Sequence, residues 1–128
     1  MATHEPPVLY SVDLGQCEEL AALSSDVIVT TFASALTRAG ATVVQACSHD
    51  FPGTGLTSVL ILAESHAVLH TWPETGTVNI DIFSCSTRLK SWQAVTELSA
   101  FLGARKVVVQ EIRRADGHHP DVARPTGA

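Results

Sequence analysis

The stretch that decides the fold covers residues 63–85 and reads AESHAVLHTWPETGTVNIDIFSC. Within it, side chains alternate in character over His66 to Trp72 and again over Thr77 to Cys85, a period of two that is typical of β-strands. Residues 73–76, Pro-Glu-Thr-Gly, have the composition of a turn. The stretch therefore predicts two strands that are adjacent in the chain and joined by a short connection.

Further strands are predicted on both sides of this stretch, where apolar and β-branched residues form short runs. Residues 51–55, Phe-Pro-Gly-Thr-Gly, are predicted to form a turn between two of them. The additional predicted strands are Val8 to Leu14, Ala41 to Ser48, Leu56 to Ala63 and Lys106 to Ile112.

Two helices are predicted between the strands. The first follows the N-cap sequence Ser24-Ser25-Asp26 and runs to Arg38, with Gly40 as its stop, and the second covers Ser91 to Phe101. The order β-α-β-β-β-β-α-β predicts an α+β two-layer sandwich, with both helices on one face of a largely antiparallel sheet. The apolar positions expected on the helices are Val27, Ile28, Thr31, Ala35, Leu36, Ala39, Trp92, Val95, Leu98, Phe101 and Leu102.

The composition indicates one globular domain. Of 128 residues, 45% are hydrophobic and 16% are charged, and the formal net charge of −5 without a Lys/Arg run argues against nucleic-acid binding. No apolar run approaches the ~18 residues that span a membrane, and no signal peptide is visible. We expect residues 1–7 to form a flexible arm, residues 8–114 a single domain and residues 115–128 a disordered tail.

The cysteines favour a cytoplasmic protein with reduced thiols. There are three of them at wide spacing, Cys17, Cys47 and Cys85, and an odd number without a secretion signal is untypical of disulfides. A metal site built from Cys47 with nearby histidines (His49, His66 and His70) would match no standard zinc spacing, so no metal is expected.

Three reactive side chains stand out around Ser65. It lies between Glu64 and His66 at a break between two predicted strands, with His70 five residues and Cys85 twenty residues further on. Short hairpin connections are expected to bring this hydroxyl, imidazole and thiol to one end of the sheet. The alternative is that they are ordinary solvated residues on strands.

This stretch resembles the processing and active-site region of the prokaryotic S-adenosylmethionine decarboxylases, the short self-processing class. Weaker likeness reaches residues 12–17, 40–44 and 106–112, so the resemblance covers most of residues 8–114. Three elements of the family occur at matching spacing: Glu64-Ser65-His66, His70-Thr71-Trp72-Pro73-Glu74 and Asp81-Ile82-Phe83-Ser84-Cys85.

The resemblance implies a proenzyme that cuts itself by serinolysis between Glu64 and Ser65. Attack of the hydroxyl turns the amide into an ester, and elimination and hydrolysis then leave a pyruvoyl group at position 65. The products are a β chain of residues 1–64 and an α chain of residues 65–128. The processing base of the family falls on His70, since imidazole can take up a proton near neutral pH.

The catalytic roles are likewise implied by the resemblance. The pyruvoyl group from Ser65 forms a Schiff base with the α-amine of the substrate and accepts the electrons released as CO₂ leaves. Cys85 matches the family's proton donor. Thr57 stands where the family usually has a serine that assists processing.

The implied substrate is S-adenosylmethionine, and its decarboxylated product serves spermidine and other polyamine synthesis. Phe51 and Trp72 match the positions that stack on adenine, and Glu74 matches the carboxylate that binds the ribose hydroxyls. The family resemblance also implies a homodimer of processed protomers, for which the exposed sheet face would be suited.

Departures from the family pattern leave other substrates open. Ser86 replaces the glycine that usually follows the catalytic cysteine, Thr87 replaces a frequent aspartate, and residues 51–55 differ from the usual loop. One alternative is a pyruvoyl-dependent decarboxylase of a basic amino acid, ornithine or arginine. Another is a small-ligand binding module that never cleaves.

Overall fold

The computed structural model describes residues 6–115, which form one six-stranded sheet and two helices. All strand pairs are antiparallel, in the spatial order β2-β3-β4-β5-β1-β6. The predicted α+β class and order of elements are confirmed, and the structure adds a short 3-10 helix at Leu20–Ala22. The elements are β1 (Val8–Gly15), α1 (Ser25–Arg38), β2 (Val43–Phe51), β3 (Gly55–Leu62), β4 (Ser65–Trp72), β5 (Thr77–Ser84), α2 (Ser91–Phe101) and β6 (Lys106–Arg113).

The alternation along the strands divides the sheet into a buried face and an open face. Ala67 and Leu69 on β4 are fully buried, as are Val78 and Ile80 on β5, and the buried residues of α1 and α2 join them in one core. Both helices therefore cover the same face. What we call the open face carries Ser11, Asp13, His49, Thr57, Val59, Ile61, His66, Val68, His70, Trp72, Asn79 and Phe83.

The ends of α1 are fixed by local contacts. Ser24 caps the first turn, since its hydroxyl accepts a hydrogen bond from the amide of Val27 at 3.2 Å. At the other end Gly40 has a φ of 107°, and a Cβ there would overlap the carbonyl oxygen of Arg88. Only glycine allows this close approach. The end of α1 therefore packs directly on the loop of residues 85–90 that follows β5.

The buried stripe of α1 differs from the predicted one. Ile28, Phe32, Ala35 and Leu36 face the core, whereas Val27 is 46% exposed. These four positions follow the spacing i, i+4, i+7 and i+8, which leaves Val27 beside the stripe. The prediction for Val27 was wrong, and Phe32 was missed.

Trp92 on α2 is also more exposed than predicted. Its indole packs edge-on against Tyr10, with ring centroids 6.4 Å apart, and donates a hydrogen bond to the Glu111 carboxylate at 2.9 Å. Trp92 lies in the first turn of α2 and contacts side chains of the edge strand β6 and of its neighbour β1. Its apolar surface therefore covers an edge of the sheet instead of the core.

The strand β2 begins and ends later than predicted. It pairs with β3 as far as Phe51 opposite Gly55, so both residues are strand ends. The predicted turn of residues 51–55 shrinks to residues 52–54. This change places the Phe51 ring at the end of a strand of the sheet.

The packed part of the chain includes Pro7, which is buried and accepts a hydrogen bond from the amide of Arg114 at 2.8 Å. Residues 1–5 of the predicted arm and residues 116–128 of the predicted tail lie outside the described residues. Within residues 6–115, no helix is long and apolar enough to cross a membrane. All three cysteines are free thiols.

Candidate active site

Glu64, Ser65 and Cys85 meet at the end of the sheet where β3 turns into β4, and we call them the Ser65 cluster. The turn depends on a left-handed backbone conformation at Glu64, with a φ of 63°. This conformation costs a non-glycine residue on the order of 1 kcal/mol, so the surrounding contacts must maintain it. Ser65 then begins β4, with its hydroxyl 3.4 Å from the carbonyl oxygen of Ala63.

The thiol of Cys85 makes the most informative contact in this cluster. It donates a hydrogen bond to the carbonyl oxygen of Glu64 at 2.7 Å. The pairing of His66 with Phe83 explains the contact, because it sets the start of β4 beside the end of β5. A donor at that oxygen polarises the carbonyl of the Glu64–Ser65 peptide bond. The structure thus places Ser65 and Cys85 at the same end of the sheet.

A cavity of about 420 Å³ opens beside the Ser65 cluster. The loop after β5 is braced by its own serines: the amide of Ser86 donates to the Ser84 hydroxyl at 3.3 Å, and the amide of Arg88 donates to the Ser86 hydroxyl at 3.0 Å. Ser86, where glycine was expected, therefore has a structural role in the loop. The cavity is lined by Gly40, Ala41, Thr42, Ala63, Glu64, Ser65, Cys85, Ser86, Thr87, Arg88 and Leu89.

A second group, the His70 cluster, consists of Phe51, Thr57, His70 and Trp72. Thr57 and His70 face each other across β3 and β4, and the threonine hydroxyl lies 2.9 Å from Nδ1 of the imidazole. All four residues line a cavity of about 370 Å³. The structure therefore brings together both predicted adenine-stacking residues and both predicted processing residues.

The two aromatic rings of the His70 cluster lie on either side of Gly55. Phe51 pairs with Gly55 across β2 and β3. Thr57 pairs with His70 across β3 and β4, so two residues further along these strands Gly55 lies beside Trp72. Strands two apart are separated by about 9.6 Å, enough for a flat ring at about 3.5 Å from each side chain. Gly55 adds no side chain between the two rings, and glycine is required there because a Cβ would overlap the backbone carbonyl oxygen of Thr71.

The two clusters lie at opposite ends of β4, which contradicts the expectation that Ser65, His70 and Cys85 all lie at one end of the sheet. Five residues of extended strand separate Ser65 from His70, a distance of about 16 Å. An odd separation also points the two side chains to opposite faces. The hairpin connections do bring strand ends together, but His70 lies near the far end of its strand.

Other predicted or rejected candidates are placed as follows. Glu74 is exposed in the turn between β4 and β5 and does not line the His70 cavity. Cys17 is buried, and burial raises the pKa of its thiol, which makes it a poor nucleophile. Within the described part of the chain, no three His, Cys, Asp or Glu residues are arranged to bind a metal ion.

Two residues of the site were missed by sequence reasoning. Asn79 accepts a hydrogen bond from the indole Nε1 of Trp72 at 2.6 Å, and its own amide nitrogen donates to Asp13 at 2.7 Å. The alternation of side chains along residues 77–85 shows only which side of its strand Asn79 lies on. Its neighbours depend on the insertion of β1 between β5 and β6, which no local sequence signal reveals.

Comparison with known proteins identifies relatives over nearly the whole described region. The sequence model of the S-adenosylmethionine decarboxylase family matches residues 9–115. A protein of Clostridium tetani named S-adenosylmethionine decarboxylase proenzyme is 31% identical over 104 residues, which cover 81% of this chain and 82% of that protein. A Methanococcus maripaludis protein of the same name is 34% identical over 103 residues, covering 80% and 84%.

The fold has a solved counterpart as well. The crystal structure of the adenosylmethionine decarboxylase from Aquifex aeolicus superposes with a TM-score of 0.76 and covers 96% of this chain and 100% of that one. Its 21% sequence identity makes it evidence for the fold alone. The family match over residues 9–115, together with the two proenzyme relatives, shows that the chain belongs to the S-adenosylmethionine decarboxylase family.

Proposed function

We propose that this chain is a cytoplasmic proenzyme that cuts its own Glu64–Ser65 bond and then decarboxylates S-adenosylmethionine for polyamine synthesis. Cleavage would leave residues 1–64 as one chain and residues 65–128 as the other. The observation that carries the proposal is the hydrogen bond from the Cys85 thiol to the Glu64 carbonyl, beside the Ser65 hydroxyl. The relatives from Clostridium and Methanococcus are both named as proenzymes, which supports self-processing.

The proposed cleavage starts with attack of the Ser65 hydroxyl on the carbonyl carbon of Glu64. The C–N bond breaks, an ester forms, and the amide nitrogen becomes a free amine. Negative charge develops on the carbonyl oxygen during the attack, at the atom to which Cys85 donates. Removal of the Ser65 Cα proton then expels the Glu64 carboxylate and leaves dehydroalanine, and this step needs a base, for which we propose His70. Water hydrolyses the dehydroalanine to a pyruvoyl group, and the nitrogen leaves as ammonia.

The residues around position 65 fit a pyruvoyl group. Ser65 begins a strand, is half-buried and lines a cavity together with Cys85. The pyruvoyl group supplies an electron sink for decarboxylation. We propose that Cys85 then returns a proton to the α-carbon of the substrate. The same thiol would thus polarise the carbonyl before cleavage and donate a proton afterwards.

The gap between Phe51 and Trp72 is the proposed adenine site. Both rings are close to half exposed, at 47% and 45%, so each has an apolar surface free to cover a flat ligand. Aromatic faces also attract cations, which suits the sulfonium of S-adenosylmethionine. For Glu74 we propose contact with the ribose hydroxyls, from the exposed turn beside Trp72.

The separation of the two clusters supports a homodimer with shared active sites. The open face exposes apolar side chains such as Ile61, which is 47% exposed, and a second copy could cover them. If the open faces of two protomers pack together around a twofold axis that is perpendicular to the strands, β4 of one protomer runs opposite to β4 of its partner. The His70 cluster of one protomer would then lie over the end of the sheet that carries Ser65 in its partner.

Complementation between two inactive variants tests the shared site. Produced alone, the Ser65→Ala chain is expected to stay uncleaved, because it has no hydroxyl to attack the carbonyl. The His70→Ala chain, produced alone, is expected to stay uncleaved or to stall at the ester. When both are produced together, the His70→Ala chain is expected to be cleaved, because the partner chain supplies the base. Intact mass identifies which chain is cut. A His70→Ala chain that remains whole in the mixture would show that the partner does not supply the base.

The substrate is tested by measuring CO₂ release from carboxyl-labelled S-adenosylmethionine, ornithine and arginine. We expect release from S-adenosylmethionine alone, since the slot between Phe51 and Trp72 suits an adenine and has no role for the basic amino acids. Ser65→Ala should release nothing, and Ser48→Ala, at an exposed position of β2, should behave as wild type. Release from ornithine or arginine but not from S-adenosylmethionine would refute the substrate assignment.

Two substitutions separate the proposed roles of Cys85. Cys85→Ala removes the donor to the Glu64 carbonyl and is expected to slow self-cleavage about 10-fold or more. Cys85→Ser keeps a donor and is expected to cleave within a few-fold of wild type. Both should lose most of the decarboxylation, because neither has the thiol. Cys47→Ser, at an exposed cysteine, is the control, and wild-type cleavage kinetics in Cys85→Ala would contradict the role in processing.

A further inference from the structure

A row of polar side chains crosses five strands of the open face. Each member lies directly opposite the next in the pairing of neighbouring strands, so the row is set by backbone register. Two of its middle members, Thr57 and His70, line the cavity that Phe51 and Trp72 also line. From β1 to β2 the row consists of Asp13, Asn79, His70, Thr57 and His49.

Asn79 is the member of this row that hydrogen-bonds to Trp72, one of the two rings of the proposed adenine site. Its side-chain oxygen accepts from the indole of Trp72 at 2.6 Å, and its side-chain nitrogen donates to Asp13 at 2.7 Å. An indole can only donate and an ionised carboxylate can only accept. The amide orientation is therefore dictated by its two partners: the oxygen must face Trp72 and the NH₂ group must face Asp13.

The position of Trp72 makes a hydrogen bond to its ring important. It is the last residue of β4, is 45% exposed and precedes a turn. An exposed tryptophan side chain can rotate about two torsion angles. If these torsions are already fixed before a ligand stacks on the ring, less conformational entropy is lost on binding. The hydrogen bond to Asn79 fixes the edge of the indole that carries Nε1.

We propose that Asn79 is a positioning residue that orients Trp72 as one wall of the slot, and that Asp13 orients Asn79. The identity of the stacked ligand rests on the proposed function, whereas the support of Trp72 by Asn79 does not. Asp13, Asn79 and Trp72 would act as one unit, so substitutions within the unit should not have additive effects.

The first test measures hydrogen exchange at the two indole N–H groups by NMR. The chain has two tryptophans, and Trp92 donates to Glu111 and not to a member of this unit, so its signal is an internal control. Asn79→Ala is expected to speed exchange at Trp72 and to leave Trp92 unchanged. A Trp72→Phe variant assigns the two signals. Unchanged exchange at Trp72 in Asn79→Ala would overturn the proposal, whatever reaction the protein catalyses.

The second test is kinetic and uses the self-cleaved enzyme. Asn79→Ala is expected to raise KM for S-adenosylmethionine about 5- to 10-fold, the effect of one lost hydrogen bond, with kcat and cleavage close to wild type. In a Trp72→Phe background the same substitution should have no further effect. Exchanging the pair, Asp13→Asn with Asn79→Asp, keeps an acceptor for Trp72 and should restore KM.

The control for this series is Ser11→Ala, which lies on the same face of β1 as Asp13 but outside the unit, and it should behave as wild type. Additive effects of Asn79→Ala and Trp72→Phe, or a fall in kcat without a rise in KM, would overturn the positioning role. If the unsubstituted enzyme releases no CO₂ from S-adenosylmethionine, the proposed function fails. The exchange measurement still decides the role of Asn79 in that case.

Discussion

The extended geometry of β4 is the constraint on which the rest of the site depends. A strand advances about 3.3 Å per residue and points successive side chains to opposite faces. Ser65 and His70 lie on this one strand, so no rotamer change can bring them together within a chain. The sheet around β4 makes this separation rigid, because β3 and β5 pair with it on both sides.

The separation divides the proposed chemistry into two rigid parts. At one end, the β3–β4 turn and the end of β5 position the Ser65 cluster, with the Cys85 thiol on the Glu64 carbonyl. At the other end, the register of β2, β3 and β4 aligns Phe51, Thr57 and His70. Each part lacks what the other supplies: the first has the proposed nucleophile and the proposed acid, and the second has the proposed base and the aromatic slot. The open face lies between them, and in the proposed homodimer a second copy packs on this face and joins the two parts.

Much of the architecture could be predicted because its signals are local. The bounds of α2 follow from apolar periodicity, and the alternation from His66 to Trp72 gives the correct strand. The closeness of Ser65 and Cys85 also follows from short hairpins. The predicted position of His70 was wrong because the prediction considered how short the hairpin connections are and not how long β4 itself is. The contact of Asn79 with Trp72 and Asp13 depends on long-range strand order, which residue patterns do not encode.

Intact mass spectrometry of the purified, unsubstituted protein tests the central claim most directly. Self-cleavage predicts two species: residues 1–64 ending in a free carboxylate at Glu64, and residues 65–128 lighter by one ammonia than a chain beginning with serine. The missing ammonia reports the conversion of Ser65 to a pyruvoyl group. A single species with the full mass of 128 residues would contradict the account, as would a second chain that keeps an unmodified serine at its start.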